Sequence, residues 1–493
     1  MSRGIVIVGT SSSCGKTFIA TLLCAYFAKK GYRVAPFKPQ NMSLNSYPAL
    51  DGGEIALAQA MQAYAAGTNP LTAMNPVLLK PLGGLCEVII RGKPYAITSF
   101  SRYWSDVLDY AWSRVLESFD YLSSAYDLIV VEGAGCCAEP NFLDRDIANL
   151  RIAVERDLNA VLVADIERGG AFASIVGVLS ILPKKFRERI KGVIINKFVG
   201  DPLVLEPAIE WLEKRIGIPV LGVVPKMGVR LWPEDSMELR PFGDGPIDVA
   251  LIAYPTVSNF GDVEPLRLEP DVRVRIVRHP QELGEPDVVL LPGCRSSSMA
   301  LEWLKRSGMD RALARLVGES LILGICCGAQ VLGRRLSDPY GYEAGVPTHF
   351  EGLNVVSYSI TYGIEKIVSH SLAEPLAPEL EGIGALRGYE IRRGRVIDWG
   401  WEKPATLIVE RNRLAQSEPD GVVKGKVVAT HLHDVLSNPG FRAWVLNIVR
   451  KERGLPTRFG DGGWRDLLLK EVCEGLKVLE RSVDVEAIEA LAS

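Results

Sequence analysis

Short apolar runs alternate along the chain with longer stretches whose apolar residues recur at helical spacing. The runs are rich in valine and isoleucine and are bounded by polar turns, which is typical of strands buried on both faces of a parallel sheet. In the first half the predicted strands are Gly4–Val8, Arg33–Phe37, Leu128–Val131, Ala160–Ala164 and Gly192–Asn196. A second series comprises Asp248–Ala253, Val272–Val277, Val288–Leu291, Leu321–Ile325 and Val427–Thr430. Two series of strands that alternate with helices predict two α/β domains.

The boundary between these domains is predicted in residues 240–246, a stretch rich in glycine and proline. We therefore predict an N-terminal domain over 1–245, a second domain over 246–453 and a helical tail over 454–493. A length of 493 residues and a hydrophobic content of 47% are sufficient for several buried cores.

Charge and composition narrow the classes of partner. The formal net charge is −3, and basic residues are mixed with acidic ones, so no surface for nucleic acid is predicted. No apolar run reaches the roughly 18 residues of a membrane span, and Met1 leads directly into the first strand without a signal peptide. We therefore expect a cytoplasmic protein that does not bind membranes and that acts on a small molecule. The sequence makes no prediction of the oligomeric state.

The cysteines predict a reduced protein. The chain has nine of them, without the spacing of a disulfide framework, which favours free thiols. Cys136–Cys137 and Cys326–Cys327 are adjacent pairs that lack the CxxC spacing of zinc sites, so no structural metal is predicted.

A phosphate-binding loop is predicted after the first strand, where Gly9-Thr-Ser-Ser-Ser-Cys-Gly-Lys16-Thr17 leads into a helical pattern. Backbone amides at Gly9, Thr10 and Gly15 would contact phosphate oxygens of a nucleoside triphosphate. Lys16 would place a cation near the β and γ phosphates, and the Thr17 hydroxyl would hold Mg²⁺. The alternative is an ordinary Gly/Ser turn before a helix. The five residues between Gly9 and Gly15 exceed the usual four and resemble the spacing of the dethiobiotin synthetase group.

A nucleophilic cysteine is predicted in the second half, where Leu321-Ile-Leu-Gly-Ile-Cys326 is an apolar strand that turns into a helix. A thiol at such an elbow is exposed at the sheet edge, and the amide of Cys327 can stabilise an oxyanion. The alternative is that Cys326 is a small buried hydrophobe. A thiol nucleophile needs a base, and His431 and His433 follow the last predicted strand. Alternation along a strand would point both histidines the same way, so spacing alone leaves the choice open.

Several motifs, taken in order, resemble those of the cobyric acid synthase family. In the second half they are Gly324-Ile-Cys-x-Gly-x-Gln330, Asp338-Pro-Tyr-Gly-Tyr-Glu343, Gly388-Tyr-Glu-Ile391 and Thr430-x-Leu-His433. In the first half they are Phe37–Ser46, Asp51–Glu54, Met74–Pro81, Val131–Gly135, Ala164–Ala173 and Ile195–Phe198. The resemblance covers residues 4–490 and implies a P-loop, dethiobiotin synthetase-like domain followed by a class I-like glutamine amidotransferase domain.

The resemblance implies an enzyme that amidates the b, d, e and g carboxylates of adenosylcobyrinic acid a,c-diamide. ATP would activate each carboxylate as an acyl phosphate, and L-glutamine would supply ammonia. It implies catalysis by Cys326 and His433, since His431 occupies a position that is usually tyrosine. Other residues that it implies are Gly9, Thr10, Gly15, Lys16, Thr17, Lys38 and Asn196 for ATP, Thr17, Glu132, Glu54 and Asp51 for Mg²⁺, and the amides of Cys327 and of Gly293 or Cys294 for the oxyanion.

Alternatives remain at three levels. Asp51 also fits a solvated turn, and Asn196 fits a residue that ends a strand. Cys327, Arg392 and Asp434 stand where the family usually has Gly, His and Gly. The rival functions are the sister enzyme cobyrinic acid a,c-diamide synthase, a regulatory ATPase of the same P-loop superfamily, and a synthetase whose degenerate amidotransferase domain leaves free ammonia as the donor.

Overall fold

The computed structural model describes residues 3–228, 239–343 and 345–492. In the first of these ranges the strands are β1 (Gly4–Gly9), β2 (Val34–Phe37), β3 (Gln40–Met42), β4 (Ser46–Ala49), β5 (Gly53–Ala56), β6 (Val77–Leu82), β7 (Leu85–Ile90), β8 (Lys93–Thr98), β9 (Leu128–Glu132), β10 (Asn159–Asp165), β11 (Ile190–Phe198) and β12 (Val220–Pro225). The helices of the same range are α1 (Lys16–Lys29), α2 (Leu57–Ala65), α3 (Phe100–Arg102), α4 (Leu108–Ala125), α5 (Leu150–Glu155), α6 (Ala171–Ile181), α7 (Lys184–Arg187) and α8 (Glu206–Ile216).

The second half contains β13 (Ile247–Ile252), β14 (Val272–Val277), β15 (Val288–Leu291), β16 (Leu321–Ile325), β17 (Arg335–Asp338), β18 (Thr348–Glu351), β19 (Ser359–Pro375), β20 (Leu386–Asp398), β21 (Thr406–Arg411), β22 (Leu414–Asp420), β23 (Val422–Lys424) and β24 (Val427–Thr430). Its helices are α9 (Ser297–Ser307), α10 (Met309–Leu316), α11 (Cys327–Leu332), α12 (Pro439–Glu452), α13 (Trp464–Ser482) and α14 (Val485–Leu491). Among the described residues, no helix combines the length and the apolar character needed to cross a membrane.

The chain divides into two compact units. Unit 1 comprises Met1–Ser43, Gly53–Leu231 and Leu468–Ser493, and unit 2 comprises Leu44–Gly52 and Trp232–Leu467. The grouping of nine residues from the first half of the chain with unit 2 was not predicted. The predicted boundaries near residues 245 and 453 stay predictions.

The main sheet of unit 1 has the strand order β12-β11-β10-β1-β9-β2, and its neighbouring strands are parallel. Every residue of β1 and β9 is buried, which explains their uninterrupted apolar sequences. All five predicted strands of the first half are present in this sheet, with bounds that differ by at most two residues. The prediction of a parallel-sheet α/β unit is confirmed.

The main sheet of unit 2 has the order β14-β13-β15-β16-β24-β23 and is parallel except for the pair β23–β24. It contains all five strands of the second predicted series. The phosphate loop of unit 1 therefore follows the central, buried strand β1, and the candidate nucleophile of unit 2 follows the central, buried strand β16. Both lie at the sheet edge where α/β proteins place ligands.

Sheets beyond the two main ones were not predicted. Unit 1 contains the order β3-β6-β7-β8, in which β6, β7 and β8 pair antiparallel. Unit 2 contains β18-β17-β19-β21-β22, and β20 pairs antiparallel with the long strand β19. Exposed and buried residues are mixed along β19 and β20, so these strands lack the continuous apolar runs on which the sequence predictions rest.

Candidate active sites

The phosphate loop of unit 1 joins β1 to α1 through two residues in the left-handed region, Ser13 at φ 55° and Gly15 at φ 102°. A Cβ atom on Gly15 would overlap with the side-chain amide of Asn196, so this position requires glycine for space as well as for conformation. Asn196 lies near the carboxyl end of β11, and its Nδ2 donates to the Cys14 carbonyl at 2.9 Å. The structure therefore places Asn196 against the loop.

Lys16 lies across the loop. Its ammonium donates to the Ser11 carbonyl at 2.9 Å and to the Gly135 carbonyl at 2.8 Å, and the residue is 6% exposed. Because these partners are backbone carbonyls from two segments, the ammonium is held beside the loop by groups that carry no full charge. Its charge remains to be balanced by an anion such as a phosphate.

Glu132 brings three of the predicted residues together at the carboxyl ends of neighbouring strands β9 and β2. Its Oε1 accepts from the Thr17 hydroxyl at 2.7 Å and from the Lys38 ammonium at 2.8 Å. Its Oε2 accepts from Gln62 at 2.5 Å, and Glu132 itself is fully buried. The sequence reasoning missed Gln62, which lies on α2 and fixes the orientation of the carboxylate.

The other two predicted metal ligands are placed differently. Glu54 forms a buried ion pair with Lys80, with 2.5 Å between Oε2 and Nζ. Asp51 is exposed in a turn, as in the solvated-turn alternative. Among the described residues, no group of three or more His, Cys, Asp or Glu side chains is arranged to hold a metal ion.

Lys197 was also missed by sequence reasoning. It has a φ of 63°, and its ammonium donates to the Ser13 carbonyl at 2.5 Å and to Asp165 at 2.8 Å. Asp165 ends β10, and Lys197 lies in the neighbouring strand β11. Residues at the carboxyl ends of β10 and β11 therefore support the phosphate loop. The sequence signal that could have indicated this contact is a charged residue at the end of each of two apolar runs, Asp165 in the first and Lys197 in the second.

Cys326 of unit 2 lies at a sharp strand-to-helix turn, between β16 and α11, with φ 51° and ψ −106°. Its N–H donates to the Thr430 carbonyl at 2.8 Å, so the neighbouring strand β24 holds the turn. A non-glycine residue with this φ is strained, and such strain is typical of nucleophile elbows. The strand–turn–helix geometry is the one predicted from the sequence. The expectation of an exposed thiol is wrong, because Cys326 packs into the hydrophobic core of unit 2 and is only 6% exposed.

His433 lies close enough to Cys326 for the Cys326 side chain to affect the pKa of its imidazole. Its Nδ1 lies 2.7 Å from Oδ2 of Asp262, and both side chains are at most 2% exposed. Burial alone would lower the pKa of His433, but Asp262 and the Cys326 side chain raise it to about 10. The raised pKa favours the imidazolium form of His433.

His431 takes a different partner, and the strand alternation assumed in the sequence analysis does not reach either histidine. The strand β24 ends at Thr430, and alternation does not extend beyond it. His431 Nδ1 lies 2.7 Å from Oδ1 of Asp420, and its Nε2 is buried without a hydrogen-bond partner among the described residues. The geometry favours His433 as the base for Cys326.

Asp262, the partner of His433, was missed by sequence reasoning as well. It lies in the 3₁₀ helix Phe260–Leu268, which follows β13, and it also accepts from the Asp434 N–H at 2.6 Å. The neighbouring strands β13, β15, β16 and β24 thus lead into the segments that carry Asp262, Gly293, Cys326 and His433. A carboxylate shortly after an apolar strand was a signal, but nothing in the sequence linked it to His433.

The predicted oxyanion residues lie on two adjacent segments. A Cβ atom on Gly293 would come within 2.8 Å of His433 Cε1 and 2.9 Å of the Ser258 carbonyl, so only glycine fits there. Cys327 is the first residue of α11, where backbone N–H groups have no partner within the helix. An amide in this position can donate to an oxyanion formed beside Cys326.

The prediction of nine free thiols is wrong for one pair. Cys294 and Cys327 form a disulfide, with 5.3 Å between their Cα atoms, and the other seven cysteines are free. The fold brings the two residues together because β15 and β16 are neighbours in the sheet and each cysteine follows one of them. The disulfide joins the two segments that carry the predicted oxyanion donors.

The two other departures from the family pattern also have partners. Arg392 on β20 is buried and forms ion pairs with Glu390 at 2.6 Å and Glu418 at 3.1 Å. Asp434 is in the left-handed region at φ 63°, and its Oδ2 accepts from the Trp464 indole N–H at 2.6 Å. These ion pairs and this hydrogen bond satisfy the charged side chains of Arg392 and Asp434 within unit 2.

Two family models match the chain. Residues 5–237 match the CobQ/CobB/MinD/ParA nucleotide binding domain, and residues 248–441 match the CobB/CobQ-like glutamine amidotransferase domain. The matches agree with the observed parallel sheets and confirm the predicted fold, a P-loop domain followed by a glutamine amidotransferase domain.

Similar proteins match over nearly the whole chain. Cobyric acid synthase from Geobacillus sp. (strain WCH70) is 39% identical over 98% of this chain and 97% of its own length. Cobyric acid synthase from Sorangium cellulosum (strain So ce56) is 41% identical over 93% of this chain and 92% of its own. Among solved structures, PurLQS from Thermotoga maritima matches at 15% identity over 41% of this chain and 98% of its own, with a TM-score of 0.33, which is too low to support an argument. The identity and coverage of the two synthases place the chain in the cobyric acid synthase family.

Proposed function

We propose that this chain is a glutamine-hydrolysing, ATP-dependent amide ligase that amidates the b, d, e and g carboxylates of adenosylcobyrinic acid a,c-diamide. The observation that carries the proposal is the arrangement of Cys326, His433 and Asp262 in unit 2, in a chain whose unit 1 has a phosphate loop. The thiol site supplies ammonia, and the phosphate loop serves the activation of the acceptor carboxylate. Family membership supports the choice of the corrinoid as acceptor.

Glutamine hydrolysis begins at Cys326. Its thiolate attacks the amide carbon of glutamine, and the carbonyl π electrons move to oxygen to form a tetrahedral oxyanion. The amides of Cys327 and of Gly293 or Cys294 would donate to this oxygen. As the C–N bond breaks, the His433 imidazolium gives its proton to the nitrogen, and ammonia leaves a thioester on Cys326.

The second half of the reaction regenerates the thiol. Neutral His433 takes a proton from water, whose oxygen attacks the thioester carbon, and the C–S bond breaks to release glutamate. Asp262 holds Nδ1–H of the imidazole, so the other ring nitrogen stays directed at the reacting atoms. One water is consumed for each ammonia that is released.

Activation of the carboxylate takes place in unit 1. A carboxylate oxygen of the corrinoid attacks the γ-phosphorus of ATP, ADP leaves, and the acyl phosphate then loses phosphate to ammonia. Lys16 and Lys38 would neutralise charge on the phosphoryl group, while amides at Gly9, Thr10 and Gly15 bind phosphate oxygens. Asn196 supports the loop in our proposal, and its predicted contact with the adenine edge remains a prediction.

Thr17 and Glu132 fit a Mg²⁺ ion, because a hydroxyl and a buried carboxylate lie within hydrogen-bonding distance of each other beside the phosphate loop. When bound, Mg²⁺ would offset the negative charge of the phosphates. Lys38 shares Oε1 of Glu132 and would release it to the ion. Glu54 is a weaker candidate because Lys80 already balances its charge.

The rival functions are supported less well. A regulatory ATPase has no need for a buried Cys326–His433–Asp262 arrangement, and a degenerate amidotransferase domain has no reason to keep it. The sister enzyme cobyrinic acid a,c-diamide synthase shares the domain types, but the full-length similarity is to cobyric acid synthases. ATP, glutamine and a free thiol on Cys326 suit the cytoplasm, which we propose as the location.

The test is amidation of adenosylcobyrinic acid a,c-diamide, followed by mass spectrometry, with ATP, Mg²⁺ and either glutamine or ammonium. Wild type should amidate the corrinoid with both donors, and Cys326→Ala should do so with ammonium alone. Cobyrinic acid is the control acceptor that the sister enzyme would use. Amidation of cobyrinic acid in preference to the a,c-diamide would overturn the substrate, and equal use of glutamine by Cys326→Ala would overturn the nucleophile.

A further inference from the structure

The Leu44–Gly52 segment belongs to unit 2, although the residues on both sides of it belong to unit 1. It contains β4, and its residues Asn45, Ser46 and Tyr47 are at most 3% exposed. A piece of the first half of the chain is therefore packed into the interior of the unit that carries Cys326.

The first connection from this segment to the glutaminase site runs through aromatic rings, one pair tilted and the next stacked. The centroid of the Tyr47 ring lies 5.0 Å from that of Tyr389. The Tyr389 ring in turn lies 5.0 Å from the His433 ring, with 14° between the planes. The backbones of Tyr389 and His433 also exchange two hydrogen bonds, of 3.2 and 2.8 Å. Tyr47 therefore supports the ring that covers one face of the imidazole.

The second connection runs through hydrogen bonds. The Ser46 N–H donates to Oδ1 of Asn259 at 2.9 Å, and the Asn259 N–H donates to Oδ1 of Asn45 at 2.7 Å. The Asn259 carbonyl accepts from the N–H of Asp262 at 3.3 Å. Asp262 is the acid that holds Nδ1 of His433, so the segment reaches both groups that orient this imidazole.

Further contacts fix the Tyr47 ring. Its hydroxyl accepts from the Arg465 guanidinium at 3.0 Å. The rings of His370 and Trp464 lie 5.3 and 5.8 Å from it, in edge-to-face arrangements. With aromatic neighbours on several sides, truncation of Tyr47 would leave a cavity beside Tyr389 and allow that ring to move.

We propose that Tyr47 is a positioning residue for His433, and that the Leu44–Gly52 segment makes glutamine hydrolysis respond to ligands at the ATP-dependent site. The response rests on the proposed function, in which Lys38 binds the phosphoryl group. In the sequence, Lys38 precedes the segment by six positions and Glu54 follows it by two. A shift of either residue on ligand binding is transmitted to Tyr47 through the covalent chain.

The experiment compares wild type, Tyr47→Ala, Tyr47→Phe and Tyr95→Ala in the full chain. Tyr95 is exposed and stacks on Tyr110 in unit 1, so its truncation is the control for loss of a tyrosine ring. Glutamate release is measured with and without ATP, Mg²⁺ and the corrinoid, and ammonium-dependent amidation is measured in parallel. We expect Tyr47→Ala to lower kcat for glutamine roughly 10- to 100-fold and to abolish the response to ligands. Tyr47→Phe and Tyr95→Ala should keep both.

A pH profile separates positioning from loss of folding. Tyr47→Ala should move the high-pH limit of glutamine hydrolysis, which His433 sets, whereas ammonium-dependent amidation should persist. If Tyr47→Ala does not fold, Asn45→Ala tests the second connection with the same readouts. If the folded variant has the kcat and the pH limit of wild type, Tyr47 does not position His433. If its glutamine hydrolysis responds to ligands as strongly as that of wild type, the Leu44–Gly52 segment does not couple the two activities. Failure of wild type to amidate the corrinoid with ammonium would instead refute the proposed function.

Discussion

Nδ1 of His433 lies 2.7 Å from Oδ2 of Asp262, although 171 positions separate the two residues in the sequence. The carboxylate also accepts from the Asp434 N–H, so its position is fixed from two sides. A carboxylate in this position favours the imidazolium form of His433. The carboxylate that contacts His433 therefore comes from a segment after β13, far from the histidine in the sequence.

We predict that Asp262→Asn lowers kcat/KM for glutamine roughly 10²-fold, because the proton transfers at His433 lose the charge that supports them. The same change removes the carboxylate that raises the pKa of His433. As the pH rises, the variant should therefore lose the activity that needs the imidazolium at a lower pH than wild type does. The measurement is glutamate release between pH 6.5 and about 10, the ordinary and the raised pKa of this histidine.

Asp420→Asn is the matched control for this prediction. Asp420 holds Nδ1 of His431 at the same distance of 2.7 Å, but His431 does not serve Cys326. Asp420→Asn should leave the high-pH limit in place, with thermal unfolding used to check that both variants are folded. A shift of equal size in both variants would refute the assignment of Asp262.

The sequence predicted the two main sheets because their strands are buried on both faces and are therefore continuous apolar runs, such as β1 and β16. It did not predict β19 and β20, whose sides differ in exposure. Cys326 and His433 could be found from local motifs. Asp262 and the Cys294–Cys327 disulfide could not, because their partners are brought close only by the order of strands in the sheet.

We predict that Glu132→Gln raises the Mg²⁺ concentration needed for half-maximal amidation and lowers the ammonium-dependent rate roughly 10²-fold. The reason is the loss of the carboxylate charge beside Thr17 and Lys38. Glutamine hydrolysis without other ligands should be retained. Glu54→Gln tests the weaker candidate in the same assay, and we expect a smaller effect because Glu54 is already paired with Lys80. Equal Mg²⁺ requirements for wild type and Glu132→Gln would remove Glu132 from the metal site.

We predict that Gly293→Ala strongly lowers glutamine hydrolysis, because a Cβ atom would lie 2.8 Å from the His433 ring. The ring would have to turn away from Cys326. Gly177→Ala is a suitable control, since no atom lies within 4 Å of a Cβ placed there and the residue is in α6. Ammonium-dependent amidation should be normal in both variants, and unimpaired glutamine hydrolysis by Gly293→Ala would contradict the geometry.

We predict seven free thiols in the denatured, unreduced chain and nine after reduction. The Cys294–Cys327 disulfide closes a loop with a sequence separation of 33, so Cys294→Ser should lower the free energy of unfolding by about 2–4 kcal/mol. It should also lower kcat for glutamine, since the two oxyanion segments are no longer joined. Titration with a thiol reagent is the direct measurement, and nine free thiols without reductant would contradict the disulfide.

We predict a pH-dependent stability from Asp434. Burial raises the pKa of Asp434 to about 7, and the charge of Asp262 raises it further. Hydrogen bonds from Ser437 and Trp464 and the charge of Arg465 lower this pKa, but by less than burial raises it. Because the pKa is raised above its ordinary value of 3.8, the stabilising contribution is complete below that pH and is lost as the pH rises through about 7. The thermal midpoint of Asp434→Asn should therefore fall less than that of wild type between these values. Parallel curves for the two proteins would contradict the raised pKa.

The central claim is that glutamine cleaved at Cys326 provides the nitrogen of the corrinoid amides. It is tested most directly with glutamine labelled with ¹⁵N in its amide group, supplied together with unlabelled ammonium, ATP, Mg²⁺ and adenosylcobyrinic acid a,c-diamide. Mass spectrometry should find ¹⁵N in the new amides made by wild type and only ¹⁴N in those made by Cys326→Ala. Incorporation of ¹⁵N by Cys326→Ala, or its absence from the amides made by wild type, would contradict the account.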